Sequence, residues 1–254
     1  MSIQRSIASN FNNITSPFGR RNVARFNPIT LFANGEQGAW YDPSDLSTLF
    51  QDDAGTTPVT EPGQTVGLML DKSGNGNHAT QPVAERRPVY QTDGTLHWLE
   101  FDGVDDHFVI SAPSSTVPRS LYTACCALKA YEEGVNFLTD TDGTRFAKYF
   151  SRSDVSYFDG GLRGTKVPTS FNNTVFSLVL DASENQGITR ENGGQINIDM
   201  YNRRDWDNTM FLGCSRSIAG IGKFDLYNIL MRFGAIDKLE ETEKYMAGKS
   251  GVTL

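Results

Sequence analysis

Carboxylates are the groups most able to do chemistry in this sequence, because its 254 residues hold 30 Asp and Glu against three His and three Cys. Cleaving a glycosidic bond takes two or three carboxyl groups facing one cleft, and a β-strand supplies them at alternate positions. An E-x-D-x-x-E-like run would do this, and none is present. The predicted strand 196–200 offers only Asp199, and the predicted strand 224–233 only Asp225. His78, His97 and His107 have neither H-E-x-x-H spacing nor a Cys-x-x-Cys partner, so a zinc site is not indicated. There is no G-x-S-x-G elbow for a serine nucleophile and no G-x-x-x-x-G-K-[ST] phosphate loop. The chain is therefore expected to work by binding and assembly, and not as an enzyme.

Three binding chemistries are legible. Asp71, Asp105 and Asp106 could gather around a calcium ion, which prefers oxygen ligands, although each also sits in a turn whose amides it can satisfy. No other cofactor is indicated. The run Tyr201-Asn202-Arg203-Arg204-Asp205-Trp206 mixes ring faces with hydrogen-bonding groups, so Tyr201, Arg203, Arg204 and Trp206 are candidate glycan contacts, with a solvated hairpin rim as the plainer reading. Tyr157 and Phe158 are further candidate platforms. Finally, the first thirty-five residues carry Arg5, Arg20, Arg21 and Arg25 and no acid, a charge of +4, while the rest sums to −11. A basic arm on an acidic body suits docking onto an acidic protein surface. The overall charge of −7 argues against nucleic acid as a partner.

The elements that must position these groups fall into three parts. In an arm over residues 1–30, Ile3, Ile7, Phe11 and Ile14 recur at helical spacing until Pro17 and Gly19 stop the pattern. Such a short helix is marginal alone, so the arm is expected to anchor the chain or pair it with copies of itself, or else to pack on its own domain. Residues 31–235 read as about ten short strands. These include His97–Phe101, Phe108–Ile110, Leu121–Leu128, Arg145–Phe150, Val175–Ala182, Ile196–Met200 and Phe224–Phe233, with hairpin signals at Asp142-Gly143, Asp159-Gly160 and the Asn-Gly-Gly run ending at 194. Short strands broken by turns imply two packed antiparallel sheets. Tyr227, Ile229, Met231 and Phe233 are expected to share the core face of the last strand. A helix over about 238–247 closes the chain, with Asp237 and Glu240 as a capping-box-like start, Gly248 as its stop and Glu240, Glu241 and Glu243 on a solvated face. Adjacent Cys125 and Cys126 point to opposite faces of a strand, so at most one could meet Cys214, and buried free thiols are expected. No apolar run reaches the roughly 18 residues of a membrane span, and no secretory h-region is seen.

Three segments taken in order carry a resemblance. They are LFANGEQGAWYDPSDLSTLFQD (31–52) followed by DKSGNGNHATQ (71–81) and RPVY (87–90), then LEFDGVDDHFVI (99–110), then FDLYNILMRF (224–233) leading to KYMAGKSGVTL (244–254). Over residues 31–254 the chain resembles the concanavalin A-like, laminin G-like jelly-roll domains of bacterial and phage proteins, and its opening is similar to virion structural proteins of tailed bacteriophages. The resemblance implies an all-β, concanavalin A-like jelly-roll sandwich with an N-terminal arm and one C-terminal helix. It further implies a head decoration, neck or tail appendage assembled in the host cytoplasm. The arm lies outside the resemblance, and its charge and spacing make Ile3, Arg5, Ile7, Phe11, Arg20, Arg21 and Arg25 the residues expected to hold the chain to other virion proteins. A homo-oligomer, by analogy a trimer, is expected. The alternative is a glycan-binding adhesin touching the host surface.

Overall fold

The computed structural model describes residues 26–111, 121–131, 138–140, 157–158, 162–164, 172–181, 186–199, 209–214, 222–234 and 237–254. Sixteen strands lie among them: β1 (Gln37–Tyr41), β2 (Leu49–Phe50), β3 (Leu68–Met69), β4 (Ala79–Thr80), β5 (Val89–Thr92), β6 (His97–Asp102), β7 (Phe108–Ser111) and β8 (Leu121–Ala130), then β9 (Leu138–Asp140), β10 (Tyr157–Phe158), β11 (Leu162–Gly164), β12 (Thr174–Asp181), β13 (Gln186–Glu191), β14 (Gly194–Asp199), β15 (Thr209–Leu212) and β16 (Lys223–Phe233). One helix, α1 (Leu239–Ser250), follows. The larger sheet runs β10-β11-β14-β13-β12-β8-β16-β6-β5, with β1 also paired to β16, and the smaller runs β2-β3-β4-β7-β15-β9. All their ladders are antiparallel. The protein is a β-sandwich, as its strand and turn pattern implies.

Alternation explains why the sheets close face to face. Leu99 and Phe101 of β6, Leu128 and Ala130 of β8, and Phe224 and Leu226 of β16 point inward. There they meet Leu49, Met69, Ile110, Met210 and Leu212 of the smaller sheet in one buried cluster. The Phe101 and Phe224 rings stack across neighbouring strands at 4.2 Å between centroids, a geometry that adds to the burial of their area. The turn after β6 carries the chain from one sheet to the other, since β7 lies in the smaller sheet. Gly103 at φ 82° permits that reversal.

The opposite face of the larger sheet has its own cover. Leu31 and Phe32, in a 3₁₀ turn at Pro28–Phe32, and Met246 and Ala247 of α1 pack on Trp40, Cys125, Ala127, Val175, Tyr227 and Leu230. Residues 26–32 thus pack on the body of the sandwich. Cys125 faces this outer cluster and Cys126 the inner one, and all three cysteines are buried thiols outside any disulfide.

Four expectations are corrected. A bulge between Leu226 and Asn228 changes the phase of β16, so Tyr227 joins the outer cluster while Ile229, Met231 and Phe233 face inward. No capping box forms, because Asp237 accepts from Arg232 at 2.9 Å and Lys238, at φ 63°, is the N-cap without a side-chain bond. The helix runs through Gly248 to Ser250, and Gly251 at φ 71° closes it. Glu243 is buried and holds Arg190 at 2.9 Å instead of lying on a solvated face. The predicted strand Arg145–Phe150 and the turns at 142–143 and 159–160 lie outside the described residues. Asn192 at φ 46° and Gly193 at φ 77° do make the tight turn between β13 and β14.

Candidate functional site

Asp71 Oδ1 accepts the N–H groups of Trp40 at 2.9 Å and Ser73 at 2.8 Å, and Oδ2 accepts the Asn77 N–H at 3.0 Å and the Ser73 hydroxyl at 2.7 Å. These bonds pin the loop 71–77 to β1, and Asp71 is not among the acids whose ligand atoms gather at the turn 102–106. Asp105 and Asp106 lie instead with Asp102, ligand atoms within 4.8 Å of one another. Asp102 Oδ1 takes the N–H of Val104 and Asp106 Oδ2 that of Asp102, while Asp105 pairs with Arg86 at 3.4 Å. These are turn-closing bonds.

A cleft opens where α1 meets the loop after β1. The helix is tied down there by buried Asp42. Its Oδ1 accepts the Ser44 N–H and hydroxyl at 3.1 and 2.7 Å, and its Oδ2 accepts the Tyr245 hydroxyl at 2.8 Å and Lys249 Nζ at 2.9 Å. Burial works to raise the Asp42 carboxyl, yet the bonds from Ser44 and Lys249 and the charge of Lys249 hold it below its ordinary value. The cleft beside this clamp measures about 530 Å³, and its lining includes the Phe26 and Tyr245 rings, the Ser44 and Thr95 hydroxyls, Glu241 and Lys244. The two rings meet edge to face at 6.4 Å. Ring edges beside hydroxyls and charges of both signs, in a volume inside the roughly 300–1,000 Å³ of small-molecule sites, suit a small polar ligand with apolar ring faces.

A second arrangement lies on the outer face of the larger sheet. Glu100 of β6, Asp225 of β16 and Lys129 of β8 stand directly opposite one another across three neighbouring strands. Each alternates with core residues, so all three face away from the smaller sheet. Asp225 is 3% exposed. Its Oδ2 accepts the Tyr131 hydroxyl at 2.7 Å, while its Oδ1 is buried with no hydrogen-bond partner. Burial pushes the Asp225 carboxyl up to about 6, with Glu100 adding to the rise and Tyr131, Lys129 and Lys223 opposing it. Glu100 meets Lys223 at 3.4 Å and accepts from Gln91 at 3.3 Å. The Tyr131 ring, 41% exposed, lies below Lys129 Nζ at 4.6 Å and Lys223 Nζ at 5.5 Å, and Trp98 packs on Tyr227 one row along the sheet.

Neither arrangement was singled out from the sequence. In the sequence Asp225 stands as a lone acid, because its neighbour Glu100 is 125 residues away. What the sequence does show is alternation, which turns Glu100 and Asp225 to the same side once β6 and β16 are neighbours. The arm residues Ile3, Arg5, Ile7, Phe11, Arg20, Arg21 and Arg25 and the glycan candidates Tyr201, Arg203, Arg204 and Trp206 lie outside the described residues. The backbone of Tyr157–Phe158 forms β10.

No family model and no curated protein matches the sequence. Solved structures do. A GH54 α-L-arabinofuranosidase soaked with a cyclic sulfate inhibitor superposes with a TM-score of 0.62 at 14% identity, covering 89% of this chain and 66% of that one. A mutant GH54 α-L-arabinofuranosidase soaked with 4-nitrophenyl α-L-arabinofuranoside gives 0.60 at the same identity and coverage. The receptor binding domain of botulinum neurotoxin mosaic serotype C/D gives 0.51 at 7% identity over 85% of this chain and 51% of that one. At these identities the likeness is one of fold. The exclusion of enzymatic activity drawn from the sequence is corrected by it. The fold is one that glycoside hydrolases use, and a strand-local acid motif was too narrow a requirement, because carboxylates can be paired across strands as well as along one.

Proposed function

We propose that the chain is a carbohydrate-recognising β-sandwich carried as a structural appendage of a phage virion, and that the cleft beside α1 takes the saccharide. The carrying observation is that cleft: ring edges from Phe26 and Tyr245 stand beside the Ser44 and Thr95 hydroxyls and the Glu241 and Lys244 charges. A sugar offers just such a mixture of C–H faces and hydroxyl groups. The sharing of the fold with arabinofuranosidases supports the ligand class by analogy. The virion setting is supported by the order of the three sequence segments, of which the first is a built unit here. Its Gly38 carbonyl accepts from Asn75 and Asn77, and Asp71 bonds the Trp40 amide.

Glycan-array binding tests the ligand class. Wild type is expected to bind at least one saccharide class, and Tyr245→Ala with Lys244→Ala is expected to weaken that binding about tenfold or more, as the loss of roughly 1.4 kcal/mol implies. An array silent for folded wild-type protein overturns the reading. Removing residues 2–25 is expected to leave a folded sandwich missing from assembled particles, and normal incorporation of that truncated chain would remove the anchoring role of the arm.

A further inference from the structure

The geometry of the outer sheet face points to a second activity: we propose that Asp225 and Glu100 are the acid and the nucleophile of a glycoside hydrolase site, which rests on the carbohydrate reading above. The two residues are direct partners in the β6–β16 ladder, where side chains on one face have Cβ atoms about 4.5–5.5 Å apart. Two carboxyl groups placed so closely, one dry and one wet, suit glycoside cleavage by double displacement, since direct attack by water needs a gap of roughly 6.5–9.5 Å. Asp225 is the dry one, 3% exposed, and its Oδ1 has no partner although it is buried. An orphaned buried carboxyl oxygen is costly unless it is protonated or meets a ligand. Glu100 is the wet one, its side chain 35% exposed. Tyr131 covers Asp225 and holds its Oδ2. Its ring is exposed beside the pair and offers a face on which a sugar can stack, as aromatic rings do at polar ligands.

The step balances without any other reactant than water. Protonated Asp225 gives its proton to the glycosidic oxygen, and the C–O bond breaks with its electron pair staying on that oxygen. As that bond breaks, a Glu100 carboxylate oxygen bonds to the anomeric carbon. Asp225, now a carboxylate, then takes a proton from a water whose oxygen bonds to the same carbon. The bond to Glu100 breaks with its electron pair returning to the carboxylate, and Asp225 is left protonated for the next turn. Holding Asp225 protonated up to about pH 6 is the work of its burial and of Glu100.

Polysaccharides that bind on the array, together with a panel of 4-nitrophenyl glycosides, are incubated with the full chain, and reducing ends or nitrophenol are measured from pH 4 to 8. Wild type is expected to cleave, with activity falling as pH rises through about 6. Asp225→Asn and Glu100→Gln are each expected to lose about a hundredfold or more of the rate while array binding stays within threefold. Tyr131→Phe, a positioning change that removes a bond favouring the Asp225 carboxylate, is expected to move the falling limb to higher pH. Binding without cleavage, or cleavage unchanged in folded Asp225→Asn, overturns the carboxylate pair and leaves recognition standing. Absence of both binding and cleavage overturns both readings.

Discussion

Asp225 joins stability to pH through a carboxyl group that burial keeps protonated. Its folded value of about 6 lies above the ordinary 3.8, so the folded state holds a proton that the unfolded chain has already lost between those values. Stability from this group is full below about pH 4 and is lost as pH rises through 6. The groups facing it are Glu100, which adds to the rise, and Tyr131, Lys129 and Lys223, which oppose it. Asp225→Asn is therefore expected to be more stable than wild type at pH 7 by up to about 3 kcal/mol, with the advantage vanishing near pH 4. Urea denaturation at both pH values measures this, and an equal difference at pH 4 and pH 7 would contradict it. Asp71 is the opposite kind of residue, an acid whose oxygens are filled by four donors. Of the two, the role of Asp71 was the more legible, since Gly74, Gly76 and Asn77 around it already mark a turn with amides to satisfy.

Among the elements, β1 and β16 are fitted most closely. Gly38 of β1, at φ 154°, lies against β16 so tightly that a Cβ there would sit 1.9 Å from the Met231 carbonyl oxygen. Backbone cannot swing away as a side chain can, so Gly38→Ala is expected to part the two strands at this point. The cost should be about 3 kcal/mol or more, at or above the upper end of ordinary single-site losses, read as a fall in urea midpoint at constant slope. Stability within 0.5 kcal/mol of wild type would show that the strands tolerate the shift. The helix illustrates how local signals are overridden. Asp237 and Glu240 have capping-box spacing, but Arg232 of β16, 3% exposed at its side chain, takes Asp237 for its own charge. A buried guanidinium without a partner is costly, and a cap is worth about 1 kcal/mol, so the cap yields.

At the scale of the whole molecule, β16 lies between β8 on one side and β6 and β1 on the other, although it comes almost last in the chain. Gln37 pairs with Phe233 and Glu100 with Asp225, so both sheet halves wait for the C-terminal strand. A chain ended at residue 222 is accordingly expected to lack cooperative unfolding, which far-UV circular dichroism during a thermal melt would report. A sharp transition in that fragment would show that the rest of the sandwich closes without β16.

Alternation of apolar and polar side chains, turn residues and strand lengths are local properties, and they suffice for a two-sheet β-sandwich with a closing helix. They also place β6, β7, β8, β12, β14 and β16 to within two residues, whereas the short strands β1 to β5 and β11 carry no such signal. Partnership between distant strands is not local. Which strand lies beside β16, the bulge that sends Tyr227 outward, the burial of Glu243 on Arg190, and the meeting of Glu100 with Asp225 all depend on ladder order, which no window of the sequence contains. A lone acid in a strand acquires chemistry only when the fold sets another acid opposite and closes water off from one of them. That is why the scaffold was readable from residues in order, while the carboxylate pair came from the tertiary structure.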